Sequence, residues 1–259
     1  MTAAAASLDP RTTLARPDLA EQALEGIVRA SAFRAVRAMH CAIPVADIHA
    51  EATAGEHPVD QLIFGEAFDV LDTRGDRVWG RARRDGVVGW IEVSALAEGA
   101  PLPTHCIDTV DAVLPLNALV VGTHAGAAAI GTFAADAVAL ARRFVGAPHR
   151  LGGRTPQGTD CCGLVQQVLY ACGRAAPRYS DQQAELGMGV PIVEARRGDL
   201  VVWLSPGEGP WNGHAALMLD PDHVLHATGH HGAVVIESFA EADARHRGTD
   251  GAEPVIRRL

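Results

Sequence analysis

Lysine is absent from this chain: all 22 of its basic residues are arginine, set against 31 acids for a formal net charge of -9. A Schiff-base lysine is therefore excluded, and an acidic balance with scattered arginines argues against a general binder of nucleic-acid backbones. The five cysteines, Cys41, Cys106, Cys161, Cys162 and Cys172, include no C-x-x-C pair. Their odd number excludes a fully paired disulfide set within one chain, and their spacing disfavours a zinc knuckle. No H-E-x-x-H run is present, and no Gly-x-y period marks a fibre. No apolar stretch is long enough to cross a membrane, and the first residues lack a basic start followed by a hydrophobic run. Cytoplasmic residence is the resulting expectation, with a non-standard export route left open.

What is present is ample core material. Hydrophobic residues make up 48% of 259, enough for one large domain or two to three small ones, while 27 glycines and 15 prolines imply many turns. After Pro17 the spacing of Leu19, Ala23, Leu24 and Ile27 predicts a helix capped by Asp18, giving a helical segment over 1–40. From residue 41 to 97 the period shortens. Apolar runs at 43–48, 61–71, 77–81 and 87–93, broken at Thr73-Arg74-Gly75-Asp76 and Arg84-Asp85-Gly86, predict a small all-β barrel. Residues 98–130 read equally as a connector or as a second, reduced barrel. Beyond 131, a helix over 133–144 with Thr132 as its cap precedes the glycine-rich stretch 146–158. A second helix follows Asp160 with Leu164, Val168 and Cys172 on one face and Gly173 at its end. Ser180-Asp181-Gln182-Gln183 reads as a capping box opening a short third helix. Strands at 199–203, 215–219, 223–227 and 233–237 complete an α+β domain over 131–259.

Chemistry concentrates in that last domain. If Asp160 caps a helix, Cys161 lies in its first turn, where unpaired N–H groups and the helix dipole favour a thiolate. The competing reading of any cysteine is a small core hydrophobe, which suits Cys172. A thiol nucleophile needs a base, and the base needs an orienting partner. His214 opens one strand and His226 lies in the next, across the Asp220-Pro221-Asp222 turn, so a Cys–His–His arrangement is geometrically open. With His223, His230 and His231 nearby, a metal site is the rival reading. No cofactor is otherwise implied.

Residues 144–170, FVGAPHRLGGRTPQGTDCCGLVQQVLY, resemble the catalytic segment of the NlpC/P60 cell-wall peptidases. Arg197-Gly198-Asp199-Leu200-Val201-Val202-Trp203 resembles that family's strand entering the active site. Gly213-His214-Ala215-Ala216-Leu217-Met218-Leu219 and Val224-Leu225-His226-Ala227 resemble its two histidine segments. Upstream, Asp9-Pro10-Arg11, Gln61-Leu62-Ile63-Phe64-Gly65-Glu66 and Asp85-Gly86-Val87-Val88-Gly89-Trp90 are similar to the bacterial SH3-like region of two-domain members. The resemblance implies a papain-like catalytic domain behind an SH3-like barrel. It also implies a nucleophile at Cys161, a base at His214 and a third polar residue at His226. Asp160 would help hold the peptide, and Glu66 would face a free substrate amine. The implied activity is cleavage of the γ-D-glutamyl–diamino acid bond in murein stem peptides, with no metal and no nucleic-acid or membrane partner.

Three departures fall on the expected substrate surface: Leu151 where the family usually has tryptophan, Cys162 where serine is usual, and Val87 where tyrosine is expected. None touches the implied triad. Two other classes stay open at this point: a thiol acyltransferase or amidase acting on another acyl donor, and a catalytically silent cell-wall peptide-binding protein. Nothing in the sequence fixes the oligomeric state.

Overall fold

The structure, a computed structural model, describes residues 8–53, 55–205, 213–250 (of 248–250 the backbone alone) and 253–259. The chain divides into two compact units, Met1–Leu102 and Pro103–Leu259.

The first unit is an SH3-like barrel. Seven strands build it: β1 (Arg37–Cys41), β2 (Val45–Ile48), β3 (Asp60–Ile63), β4 (Ala67–Arg74), β5 (Arg77–Ala82), β6 (Val88–Glu92) and β7 (Leu96–Glu98). Five form an antiparallel sheet in the order β6-β5-β4-β1-β7, and β2 pairs with β3. His49, just past β2, exchanges both backbone hydrogen bonds with Trp90 of β6, which joins the two sheets. Gly89 permits that closure: a Cβ there would lie 2.6 Å from the His49 carbonyl oxygen and 2.5 Å from Ile48. Alternation along the strands sends Ile48, Leu62, Phe68, Val78 and Ile91 inward, all fully buried. The run 61–71 is two strands rather than one, because Gly65 turns the chain with φ +79°.

The helix expected after Pro17 is not there. Residues 22–24 form a single 3-10 turn, Ala20–Glu21 pairs in parallel with Phe33–Arg34, and β1 begins inside the segment expected to be helical. The apolar stripe explains the difference: Leu19 is buried with Leu14 against Leu71, Trp79 and Trp90, whereas Ala23 and Ile27 face solvent. A helix would have put all of these residues on one face, so burying Leu19 while exposing Ala23 and Ile27 fits the extended chain and not the helix. Residues 1–7 of that segment lie outside the described residues.

The second unit opens with β8 (His105–Ile107), β9 (Leu119–Val120) and β10 (Ala127–Ala129), a three-stranded antiparallel sheet in the order β9-β8-β10. It is packed rather than free: Val110 and Leu116 enter the same core as the helices, and Asn117 donates to the Gln167 carbonyl at 2.8 Å. Then come α1 (Ala137–Arg142), α2 (Cys161–Ala171) and α3 (Ser180–Gln183). The strands β11 (Met188–Val190), β12 (Leu200–Leu204), β13 (Gly213–Asp220), β14 (His223–Thr228) and β15 (Ala233–Ser238) follow, with α4 (Phe239–Asp250) leading to β16 (Pro254–Arg258). The six strands form one antiparallel sheet in the order β11-β16-β12-β13-β14-β15. Alternation gives this sheet two apolar faces. Leu200, Val202, Ala215, Leu217, Leu225 and Ala227 meet α2, while Val201, Trp203, Ala216, Met218 and Val224 meet Ala242 of α4.

Helix α1 is shorter than the apolar period predicts. Asp136, not Thr132, caps it, accepting from the N–H groups of Val138 and Ala139, and Phe133 stays exposed outside it. Helix α3 is present, but Ser180 lies in its first turn behind Tyr179 and no side chain caps it. Gly173 ends α2 at φ +75°, and Cys172 sits half-buried at the C-cap rather than on the apolar face.

Candidate active site

Asp160 is where sequence, helix and chemistry meet. It precedes α2 with extended backbone, and its Oδ1 accepts from the Gly163 N–H at 2.8 Å, the N-cap arrangement. Oδ2 accepts from Gly152 N–H at 2.8 Å, and Arg178 grips both oxygens at 3.0 and 2.6 Å. Both partners of this ion pair are buried. The carboxylate thus holds the glycine-rich loop against the helix start; its oxygens are occupied by the protein's own donors. Gly163 completes the fit, since a Cβ there would lie 2.2 Å from the Gly153 carbonyl oxygen.

This places Cys161 as the first residue of α2, half-buried, at the positive end of an 11-residue helix. Cys162 is buried, with its sulfur 3.7 Å from that of Cys161. That contact, and then burial, push the Cys162 thiol well above its ordinary range, so it stays protonated. Leu151 is half-buried in the loop.

Helix α2 packs against β13 and β14, the strands that carry the two histidines. His214 Nε2 lies 2.6 Å from His226 Nδ1, with the rings edge to face. His226 is fully buried, and burial brings its imidazole down to about 4 despite the nearby Glu237. Burial, then His226, His246 and Arg245, pull His214 well below the usual histidine range. Both rings are therefore neutral near pH 7, which is the state a general base requires.

Three residues that sequence reasoning missed surround this pair. Glu237 of β15 places Oε1 2.5 Å from His226 Nε2. Arg245 of α4 forks onto both oxygens of Glu237. The carboxyl is brought down to about 2: burial opposes this, but Arg245 and His226 outweigh it. His246, also of α4, stacks on His214 with ring centres 4.3 Å apart and planes 18° apart, and Trp203 closes a triangle of rings at 4.9 Å from His246 and 5.9 Å from His214. Glu237 had a signal: His226 pairs with Val235, so Glu237 is two residues along on the same face. The α4 pair had none, because α4 carries almost no apolar period.

Nitrogens of His214, His226 and His246 lie within 4.8 Å of one another, within reach of one cation. Their orientation does not suit one. Imidazole binds metals through lone pairs in the ring plane, and two rings stacked 18° from parallel send those lone pairs side by side rather than to a common point.

In the first unit, Glu66 is buried and paired with Arg84 at 3.0 Å, and it also accepts from the Ile63 N–H at 3.0 Å. Val87 is fully buried.

Residues 146–249 match the model of the NlpC/P60 family, and residues 48–96 match that of the bacterial dipeptidyl-peptidase SH3 domain. The chain carries an NlpC/P60 domain behind a bacterial SH3 domain. It is 33% identical over 111 residues to the peptidoglycan endopeptidase RipB of Mycobacterium tuberculosis, which spans 38% of this chain and 44% of that protein. It is 32% identical over 95 residues to the γ-D-glutamyl-L-lysine dipeptidyl-peptidase of Bacillus subtilis, spanning 36% of this chain and 32% of that one. Each match therefore spans less than half the length of the curated relative. An NlpC/P60 family protein of Bacillus cereus shares the fold with a TM-score of 0.71 at 15% identity, over 85% of this chain and 99% of that one. The papain-like α+β fold with an SH3-like region ahead of it follows from that likeness and the two family matches.

Proposed function

We propose that this chain is a cysteine endopeptidase of the NlpC/P60 type acting on cell-wall peptides, with Cys161 as nucleophile, His214 as base and His226 as its orienting partner. The observation that carries this is the hydrogen-bonded, neutral His214–His226 pair on β13 and β14, the two strands whose opposite face packs against the Cys161 helix. In the first half-reaction the Cys161 sulfur bonds to the amide carbonyl carbon, and His214 receives the thiol proton. His214 then delivers that proton to the departing amine as the C–N bond breaks, leaving a thioester acyl-enzyme. In the second, His214 takes a proton from water, which attacks the thioester and releases the acid and the thiol. Backbone N–H groups at the start of α2 are the natural donors to the oxyanion.

For the substrate we propose a free murein stem peptide, L-Ala-γ-D-Glu-diamino acid, cut at the γ-D-glutamyl–diamino acid bond. The SH3 match and the name of the Bacillus subtilis relative support this. Glu66, Asp160, Cys162, Leu151 and Val87 are the positions proposed to shape recognition, and a cytoplasmic setting is proposed with them. Incubation with the free tripeptide and with its N-acetylated form tests the assignment. Cleavage of the free peptide, lost in Cys161→Ala, is expected. Equal cleavage of both forms would remove the free-amine requirement, and cleavage of neither by folded protein with intact thiol would sink the peptidase.

A further inference from the structure

We propose that Glu237 is a positioning residue that fixes the tautomer of His226 and thereby leaves Nδ1 of His214 as the basic nitrogen. The inference rests on the reading of His214 and His226 given above and extends the proton pathway one residue beyond them.

Strand pairing brings the residues together. With His226 opposite Val235, the side chain of Glu237 lies diagonally across β14 and β15, on the same face as the imidazole. Its Oε1 is 2.5 Å from His226 Nε2, close to the nitrogen although displaced from the ring N–H axis. Arg245 holds both carboxylate oxygens, and His231 reaches the outer one at 3.5 Å. The carboxylate is thus ionised and fixed in orientation.

Two protons and four ring nitrogens then have a single arrangement. A bare, electron-rich Nε2 on His226 would sit 2.5 Å from a carboxylate oxygen with no proton between them, which is repulsive even off the ring axis, so Nε2 carries the proton. The ring is buried and neutral and has only that one proton, so its Nδ1 is an acceptor. The 2.6 Å contact to His214 must then be bridged by the proton of His214 Nε2. Since His214 is neutral as well, its Nδ1 is left with a lone pair. Reversing His226 reverses the chain: His214 would have to accept at Nε2 and carry its proton on Nδ1, where it could not take one from a thiol. A carboxylate that acts through a histidine is known to matter, since its loss in a Ser–His–Asp triad costs about 10⁴ in kcat by admitting the wrong tautomer. Glu237 stands one imidazole further from the nucleophile.

The test is nitrogen NMR of the imidazoles in the full chain together with kinetics of Glu237→Gln. In the unsubstituted protein His226 should show a protonated Nε2 and a bare Nδ1, without any substrate present. In Glu237→Gln, whose amide can donate or accept, both tautomers should appear, and kcat should fall about 10- to 100-fold with KM unchanged. Glu237→Asp should recover part of that loss. If Glu237→Gln does not fold, Arg245→Met, which loosens the carboxylate without removing it, should give the same mixture in milder form. A His226 protonated at Nδ1 in the unsubstituted protein, or a Glu237→Gln chain with the native tautomer and native kcat, overturns the inference. Full turnover by Cys161→Ala would instead overturn the peptidase reading, which the tautomer measurement does not depend on.

Discussion

Asp160→Asn isolates one charge in the buried ion pair that anchors the nucleophile helix. Asparagine is as good an N-cap as aspartate, so the Gly163 N–H loses little. Two other interactions do change. The amide offers one oxygen where the carboxylate offered two, so either Gly152 N–H or Gly163 N–H is left facing an NH2 group. More costly, Arg178 is left as a cation with 1% side-chain exposure and its countercharge removed. Breaking one side of a buried pair costs about 3–5 kcal/mol, and an unsatisfied buried N–H costs about 1–3. The effects share one relaxation, so about 3–5 kcal/mol in total is expected, a large part of a domain stability of about 5–15 kcal/mol. Urea unfolding of Asp160→Asn, Arg178→Met and the double variant measures it. Hydrogen exchange of the α2 amides keeps the reading on the unit that holds the pair. Because the double variant leaves no buried charge unmatched, it should be more stable than the sum of the singles predicts, by about 2–3 kcal/mol. Additivity within about 0.5 kcal/mol would refute the reasoning, since it would mean that the two charges do not feel each other.

Acid should weaken the second unit in a defined window. Burial holds His226 at about 4, below its usual value near 6.5, so between those values the unfolded chain binds more protons and stability falls as pH drops through the window, by about 3 kcal/mol at most. Glu237, at about 2, adds a further loss below its ordinary carboxyl range. Urea titrations at pH 7 and pH 4 on the native chain and on His226→Gln check this; equal acid losses in both would contradict it. Cys41, buried beneath the Ile43 and Leu62 carbonyls, has its thiol pushed up to about 12, so peptide mapping after brief alkylation at pH 8 should find it unmodified while Cys161 is labelled. His246→Ala should cost about 1 kcal/mol by removing the stack on His214 and Trp203, with His246→Phe restoring most of it; no difference between the two variants would show that stacking contributes nothing. Chelators should leave turnover unchanged, and activity lost to a chelator and restored by zinc would show that the three imidazoles do bind an ion.

What the sequence carried, it carried where one pattern met one demand. The strands at 200–204, 213–220, 223–228 and 233–238 were legible because each is a short apolar run between turn residues, and a central strand has both faces buried. Asp160 and Gly173 marked the ends of α2 because capping chemistry is local. The first forty residues misled for the opposite reason: Leu19, Ala23, Leu24 and Ile27 have helical spacing, but burial of Leu14 and Leu19 under Trp79 and Trp90 outweighs it. The guanidinium of Arg16, 4.2 Å over Trp79 and paired with Asp72, adds to that tertiary hold. Arg178 and His246 were illegible because their partners are far along the chain, and Arg245 because Glu237, only eight residues back, lies on a strand and not on its own helix. No local spacing announces a cation aimed at a carboxylate 18 residues away.

The site divides into a part the protein has completed and a part it has left to other residues. On the proposed reading, proton handling is closed within the second unit: His214 is bonded to His226, Glu237 lies against His226, and Arg245 holds Glu237, so the proposed base is organised before any substrate arrives. The two acids expected to greet a peptide are different. Asp160 is taken up by Arg178, Gly152 and Gly163, and Glu66 faces Arg84. A carboxylate whose charge is already matched by a guanidinium attracts an ammonium far less than a bare one would. On the proposed reading a free amine would gain from Glu66 only by sharing it with Arg84, so any selectivity for that amine would come from the geometry of the shared acid rather than from net charge.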